Sequence, residues 1–151
     1  MEIDPTRFAL DFAAILTLEA RYAVCWDRGD SAAWADVFTP DGVFEIAAVG
    51  DRERVLITGR AALDEFCARF TADFSGVHLP SLPLVDVTGD TASAVVNFHF
   101  TAVARFDGAH TMTRTASGHY EVQYVRTPSG WRMTHRVEKP LASSRSEYFD
   151  F

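Results

Sequence analysis

The stretch 95–106, VVNFHFTAVARF, alternates apolar and mixed side chains with the period of two that a β-strand imposes. One face of this predicted strand is wholly apolar and consists of Val96, Phe98, Phe100, Ala102, Ala104 and Phe106. The opposite face mixes two valines with Asn97, His99, Thr101 and Arg105. Two arrangements fit the alternation. Either the apolar face packs on helices of the same chain, or it packs on a second subunit and leaves the mixed face to line a partly polar cavity.

Further strands surround this stretch and indicate an antiparallel meander in the second half of the chain. Their connections, at 88–90, 107–110 and 127–130, contain the Gly, Asp and Pro residues that favour tight hairpin turns. We therefore predict four long strands, at 77–87, 92–106, 111–126 and 131–137.

The first half of the chain carries three helix signals. Asp4 followed by Pro5 is typical of a helix start. Apolar residues at spacings of three and four continue from there towards Gly29, which is typical of a helix end. Two further helices, at 32–38 and from 60 to about 74, are predicted together with a turn at 39–42 and strands at 43–49 and 54–58. Helices first and a strand meander last predict an α+β fold in a single domain, 1–151.

The composition limits the classes of partner. The chain has 151 residues, 48% of them hydrophobic, and a formal net charge of −7 at pH 7, which argues against nucleic acid and anionic membranes. No apolar run approaches the roughly 20 residues that span a bilayer, and the acidic N-terminus lacks the features of a signal peptide, so we expect a cytoplasmic protein. Cys25 and Cys67 are expected to be reduced thiols, and the scattered histidines favour no metal site.

Asp27 and His78 are the strongest candidates for chemistry. A carboxylate at the end of the first helix opposes the helix dipole and destabilises it by roughly 0.3–1 kcal/mol, which favours a functional role for Asp27. A carboxylate that orients an imidazole makes a general base that works near neutral pH, and a nearby phenol such as Tyr22 can donate a hydrogen bond. Asp27 and His78 are 51 positions apart, so only the fold can bring them together.

Several motifs, taken in their order and spacing, resemble the SnoaL-like branch of the nuclear transport factor 2-like superfamily. They are RYAVCWDRGD at 21–30, Trp34, FTPDGVF at 38–44, Gly59, GHYE at 118–121 and GWRMTHR at 130–136. The likeness extends from about residue 8 to residue 140. It implies a cone-like roll in which three helices pack on a curved, mostly antiparallel sheet and enclose an apolar pocket.

The resemblance also implies roles for particular residues. In scytalone dehydratase, bile-acid 7α-dehydratase and hexachlorocyclohexane dehydrochlorinase, an Asp at the end of the first helix holds a His on the strand after the third helix, and the His removes a proton from carbon. Asp27 and His78 match these two positions, and Tyr22 matches a Tyr of the bile-acid enzyme. Ile46 stands where ketosteroid isomerases carry their general-base Asp, and Val103 stands near a second catalytic His of scytalone dehydratase. The departure at Ile46 counts against a ketosteroid-isomerase mechanism and in favour of the Asp–His type, and the departure at Val103 means that one part of the scytalone dehydratase site is missing.

The function that the resemblance implies is a cofactor-independent lyase or isomerase, similar to a dehydratase, that acts on a hydrophobic cyclic small molecule. Residues expected to contact the substrate are Trp26, Phe44, Ile46, His99, Val103 and Tyr120. Two alternatives keep the same fold: a non-catalytic ligand-binding or accessory subunit, and a polyketide cyclase. A homodimer or homotrimer formed through the sheet is expected. The aromatic C-terminal segment 143–151 is expected to cover the pocket as a flap, to contact a partner subunit, or to fray.

Overall fold

The computed structural model describes residues 4–105 and 110–149 of the chain, and the side chains of 4–104 and 112–141. Three helices lie in the first half of the chain: α1 (Pro5–Asp27), α2 (Ser31–Ala35) and α3 (Arg60–Asp73). The strands are β1 (Phe38–Ile46), β2 (Val55–Thr58), β3 (Ser75–Pro80), β4 (Leu84–Thr88), β5 (Thr91–Arg105), β6 (His110–Thr127) and β7 (Gly130–Phe149). The predicted α+β class is confirmed.

Local signals account for the ends of α1. The Asp4 carboxylate accepts a hydrogen bond from the backbone N–H of Thr6 at 2.9 Å, and Pro5 occupies the first turn, where its missing N–H has no partner to lose. After Asp27 the chain turns through Gly29, whose φ of 69° is a conformation that glycine adopts without strain. The helix therefore begins and ends where the sequence predicts.

One mixed sheet of seven strands supports the helices. Its strand order is β2-β1-β7-β6-β5-β3, and β4 also pairs with β5 beyond the end of β3. Neighbours are antiparallel except β1 and β7, which run parallel. Aromatic and aliphatic side chains from all three helices and the inner face of the sheet form a common core. Among the described residues, no helix is long and apolar enough to cross a bilayer.

The structure resolves the ambiguity at β5. Val96, Phe98 and Phe100 are at most 9% exposed and pack in the core, whereas Val95 and Val103 on the other face are more than 40% exposed. The apolar face thus packs on the helices of the same chain, and the mixed face is turned away from them. Phe106 lies outside the described residues.

Several of the predicted boundaries are wrong, including the end of the strand predicted at 43–49, which stops at Ile46. The second helix ends at Ala35, and the segment 39–42, predicted as a turn, belongs to β1, whose pairing with β7 is irregular between Phe38 and Val43. The predicted strand 77–87 is two strands, because the chain leaves the ladder after Ser81, whose N–H still donates to the Asn97 carbonyl, and Pro83 has no N–H to donate. Finally, β7 does not end at residue 137 as predicted, because the backbone of 143–149 continues to pair with β6. The side chains of this segment, for which a flap was one of three expectations, lie outside the described ones.

Candidate active site

Asp27 and His78 are in direct contact. The last residue of α1 and the middle of β3 meet so that Asp27 Oδ1 lies 2.6 Å from His78 Nδ1, and Asp27 Oδ2 accepts the backbone N–H of His78 at 2.9 Å. The two side chains are only 17% and 8% exposed. Oδ1 therefore orients the imidazole, which donates its Nδ1 proton to Asp27, and Oδ2 holds the backbone of the same residue.

Glycine at position 76 lets β3 approach β5 closely. A Cβ on Gly76 would lie 2.8 Å from the Phe100 ring and 2.8 Å from the carbonyl oxygen of Thr101, so any other residue would push the strands apart. Two residues later, His78 is paired with Phe100, and their rings lie 4.3 Å apart at 34°. The imidazole is thus held between the Asp27 carboxylate and an aromatic face.

His78 lines a cavity of about 480 Å³ between the helices and the inner face of the sheet. Its wall is mostly aromatic, with Phe66 and Phe70 from α3 facing Phe98 and Phe100 from β5. Three charged side chains, Arg52, Arg114 and Glu138, also reach it. The cavity is large enough for a small cyclic molecule, and its aromatic wall suits an apolar ring.

Most of the residues predicted from the sequence meet at this cavity. Tyr22, Trp26, Phe44, Ile46 and Tyr120 line it together with His78, and Asp27 lies behind the imidazole.

His99 and Val103 do not line the cavity, and their predicted contact with substrate is corrected. Both lie on the outer face of β5, because the alternation of that strand turns Phe98, Phe100 and Ala102 inward instead. The imidazole of His99 is exposed, with Ser117 Oγ at 3.0 Å and Thr101 Oγ1 at 3.1 Å.

Tyr22 is fully enclosed in the cavity wall. Its ring centroid lies 6.1 Å from that of His78 and 5.8 Å from that of Tyr120. Burial raises the pKa of Tyr22 well above its usual range, although the charge of Arg136 acts in the opposite direction. The phenol therefore keeps its proton at any physiological pH, so it is a hydrogen-bond donor rather than a base.

A second ion pair, between Glu19 and Arg136, supports two tyrosines of the cavity wall. Arg136 Nη1 contacts both oxygens of Glu19, at 2.8 and 2.9 Å, and the Tyr124 hydroxyl donates to Glu19 Oε1 at 2.7 Å. The guanidinium lies between the rings of Tyr22 and Tyr120, with its central carbon 3.8 Å from each ring centroid. Arg136 therefore holds the two cavity tyrosines in place through cation–π contacts.

Glu138 is a cavity residue that sequence reasoning missed. Strict alternation from the buried Trp131 and Met133 would turn Glu138 outward, but a bulge at Thr134, where Met133 and His135 pair with consecutive residues of β6, reverses the faces. Burial raises the pKa of the Glu138 carboxyl to about 7, although the charges of Arg136 and Arg52 lower it. Arg136 and Glu138 face inward only because of this bulge, and no signal in a single sequence reveals it.

Comparison with known proteins identifies the family. Residues 7–137 match the model of the SnoaL-like domain, so the chain belongs to that family. No curated protein matches the chain.

Solved structures agree with this assignment. A proposed aromatic ring hydroxylase from Novosphingobium aromaticivorans is 28% identical, with a TM-score of 0.77 over 93% of this chain and 94% of its own. An NTF2-like protein with a cystatin-like fold from the same organism is 27% identical, with a TM-score of 0.70 over 90% and 85%. A type 2 hexachlorocyclohexane dehydrochlorinase, LinA, is 14% identical, with a TM-score of 0.74 over 93% and 90%, and shows the shared fold alone.

Proposed function

We propose that this SnoaL-like domain is a cofactor-independent lyase or isomerase that removes a proton from carbon in a hydrophobic cyclic small molecule. The observation that carries the proposal is the contact of 2.6 Å between Asp27 and His78 at the wall of an aromatic cavity of about 480 Å³. A pure binding pocket has no need of an imidazole whose orientation is fixed by a carboxylate.

In the proposed mechanism His78 is the base. Because its Nδ1 proton is donated to Asp27, the neutral imidazole keeps a lone pair on Nε2, the nitrogen that remains for a bound substrate. Nε2 takes the proton from carbon, and the negative charge of Asp27 stabilises the imidazolium that forms. Asp27 itself keeps its charge throughout, so it orients the base and does not exchange protons.

Tyr22 supplies a hydrogen bond in this mechanism. Its phenol stays protonated and lies in the same wall as the imidazole, so it can donate to a substrate carbonyl oxygen as negative charge develops there. Trp26, Phe44 and Ile46, with Tyr120, supply the apolar and aromatic surface that a flat ring would contact.

Proton exchange from a simple ketone tests the base directly. The probe is the bicyclic ketone 1-tetralone in heavy water, where loss of the hydrogen signal beside the carbonyl is followed by NMR. We expect the wild type to accelerate the exchange, and His78→Ala and Asp27→Asn to reduce this acceleration by at least about 100-fold, as removal of an oriented base does.

His99→Ala is the matched control, because it removes an exposed imidazole on the outer face of the same sheet. It should exchange like the wild type. A wild type without any acceleration would contradict the proposal, and so would a His78→Ala variant that retains full activity.

We also propose that the chain forms a homodimer or homotrimer through the outer face of its sheet. Apolar side chains on this face are between 43% and 78% exposed: Val77, Leu79, Leu84, Val95 and Val103. Such a patch is typical of an interface between subunits. Light scattering should give a mass of two or three chains for the wild type and of one chain for Val95→Lys. A monomeric wild type would rule the interface out.

A further inference from the structure

Glu138 is a cavity carboxyl that the proposed mechanism leaves without a role. Other enclosed carboxylates have close partners: Glu19 contacts Arg136, and Asp11 contacts Arg126 at 2.7 Å. Within the described part of the chain, by contrast, neither a hydrogen bond nor an ion pair reaches the carboxyl of Glu138. Partial burial without a close partner stabilises the protonated form of a carboxyl.

The position of Glu138 lets a bound molecule reach it. On one side it is paired with Ile46 of β1, and on the other with Tyr120 of β6, and all three residues line the cavity. His78 lines the same cavity from the edge strand β3, which is separated from β7 by β6 and β5. A small ring in the cavity can therefore be contacted by an imidazole and by a carboxyl from different strands.

The charges around Glu138 set its protonation. Arg136 on the same strand and Arg52 beyond β1 lower the pKa of its carboxyl, and burial, the larger influence, raises it. Tyr22 of α1 and Tyr120 of β6 are uncharged at neutral pH because burial raises the pKa of both phenols. With a pKa of about 7, Glu138 carries a proton for a large part of the time at neutral pH, as an efficient proton donor must.

We propose that Glu138 is the general acid of this cavity and that it donates its proton to an oxygen leaving group. The inference rests on the proposed function, because it requires that His78 removes a proton from the same substrate. It also narrows the substrate to β-hydroxy carbonyl compounds, in which the carbon that bears the hydroxyl is two bonds away from the carbonyl carbon. A halide leaves as a stable anion and does not require such a donor.

The step balances in atoms and electrons. His78 Nε2 takes the proton from the carbon beside the carbonyl, and the electron pair of that C–H bond becomes the new C=C bond. The C–O bond to the hydroxyl breaks with its electron pair on oxygen, which receives the Glu138 proton and departs as water. The enzyme is left with an imidazolium and a carboxylate, and proton transfer through solvent restores both groups.

The hydroxylated ketone 3-hydroxy-1-tetralone tests this step, since loss of water yields a fluorescent naphthol. We expect Glu138→Gln to lower the rate of water loss by about 100-fold or more, while the exchange of 1-tetralone stays within about threefold of the wild type. Glu121→Gln, which changes a half-exposed carboxylate outside the cavity, is the matched control and should leave both rates unchanged.

The pH profile is a second readout. Water loss in the wild type should fall as the pH rises through about 7, because Glu138 then loses its proton, and this limb should be absent from the exchange reaction. Water loss at the wild-type rate in Glu138→Gln would overturn the role of Glu138 and leave the proposed function standing. Equal loss of both reactions in that variant would also overturn it. Absence of exchange in the wild type would instead overturn the proposed function.

Discussion

Three carboxylates of helix α1 contact nitrogen atoms of the sheet, and two of them, Glu19 and Asp27, lie eight positions apart. Glu19 contacts Arg136 through two oxygens and accepts a further hydrogen bond from Tyr124, and the two charged side chains are 4% and 1% exposed. Asp27 holds the Nδ1 atom and the backbone N–H of His78. The first pair is closed by protein on every side, whereas the second faces an open cavity.

The difference separates a pair that stabilises the fold from a pair to which the proposed function assigns proton transfer. A guanidinium keeps its proton at any accessible pH, so the Glu19–Arg136 pair cannot take part in proton transfer. An imidazole gains and loses a proton near neutral pH. Asp27 contacts only one of the two ring nitrogens of His78. The two pairs therefore differ in the partner residue and in the access to the cavity, rather than in the carboxylate, and only the Asp27–His78 pair suits the proposed reaction.

Glu19→Gln should break the structural pair and produce the largest loss of stability. The neutral amide leaves the guanidinium of Arg136 buried without a counter-charge, which typically destabilises a protein by about 3–5 kcal/mol. Unfolding by urea, followed by tryptophan fluorescence, measures the change. A loss below about 1 kcal/mol would show that the pair does not hold the fold together.

Asp27→Asn is the matched change at the other end of the helix. The amide oxygen of Asn can still accept one of the two hydrogen bonds, and the site is partly solvated, so the loss of stability should be about 1 kcal/mol or less. The contrast with Glu19→Gln would disappear if both substitutions destabilised the chain equally.

Helix ends were predictable from the sequence because their causes are local. Asp4 and Pro5 act within one turn, and Gly29 supplies a backbone conformation at a single position. The contact between Asp27 and His78 could not follow from local pattern, since it joins residues 51 positions apart. There the resemblance to a known fold supplied what the pattern of residues could not.

The errors at the site arose from face assignment. The alternation in β5 separated its two faces correctly, but only the helices packed on the sheet determine which face is inner, and His99 and Val103 lie on the outer one. In β7 the bulge at Thr134 reverses the alternation, so Glu138 was not recognised as a cavity residue. Packing partners and bulges are properties of the assembled sheet, and a periodic pattern does not record them.

Glu138 sharpens the comparison, because it is a third carboxyl that has neither the closed ion pair of Glu19 nor the imidazole of Asp27. Its pKa in the folded protein, about 7, is above the value near 4.3 expected for an unfolded chain. Between these two pH values the unfolded state has lost the proton that the folded state still holds. Stability should therefore fall as the pH rises from about 4 to about 7, and the penalty should persist above that.

Glu138→Gln should remove this penalty. The variant should be more stable than the wild type by about 1–3 kcal/mol at pH 8, and nearly equal to it at pH 4, where the carboxyl is protonated in both states. Urea unfolding at the two pH values measures the difference, and Glu121→Gln again serves as the control. If the gap between Glu138→Gln and the wild type did not change with pH, the carboxyl would be ionised in the folded protein. The pKa of Glu138 would then be the same in the folded and unfolded states, and the cavity would need another proton donor.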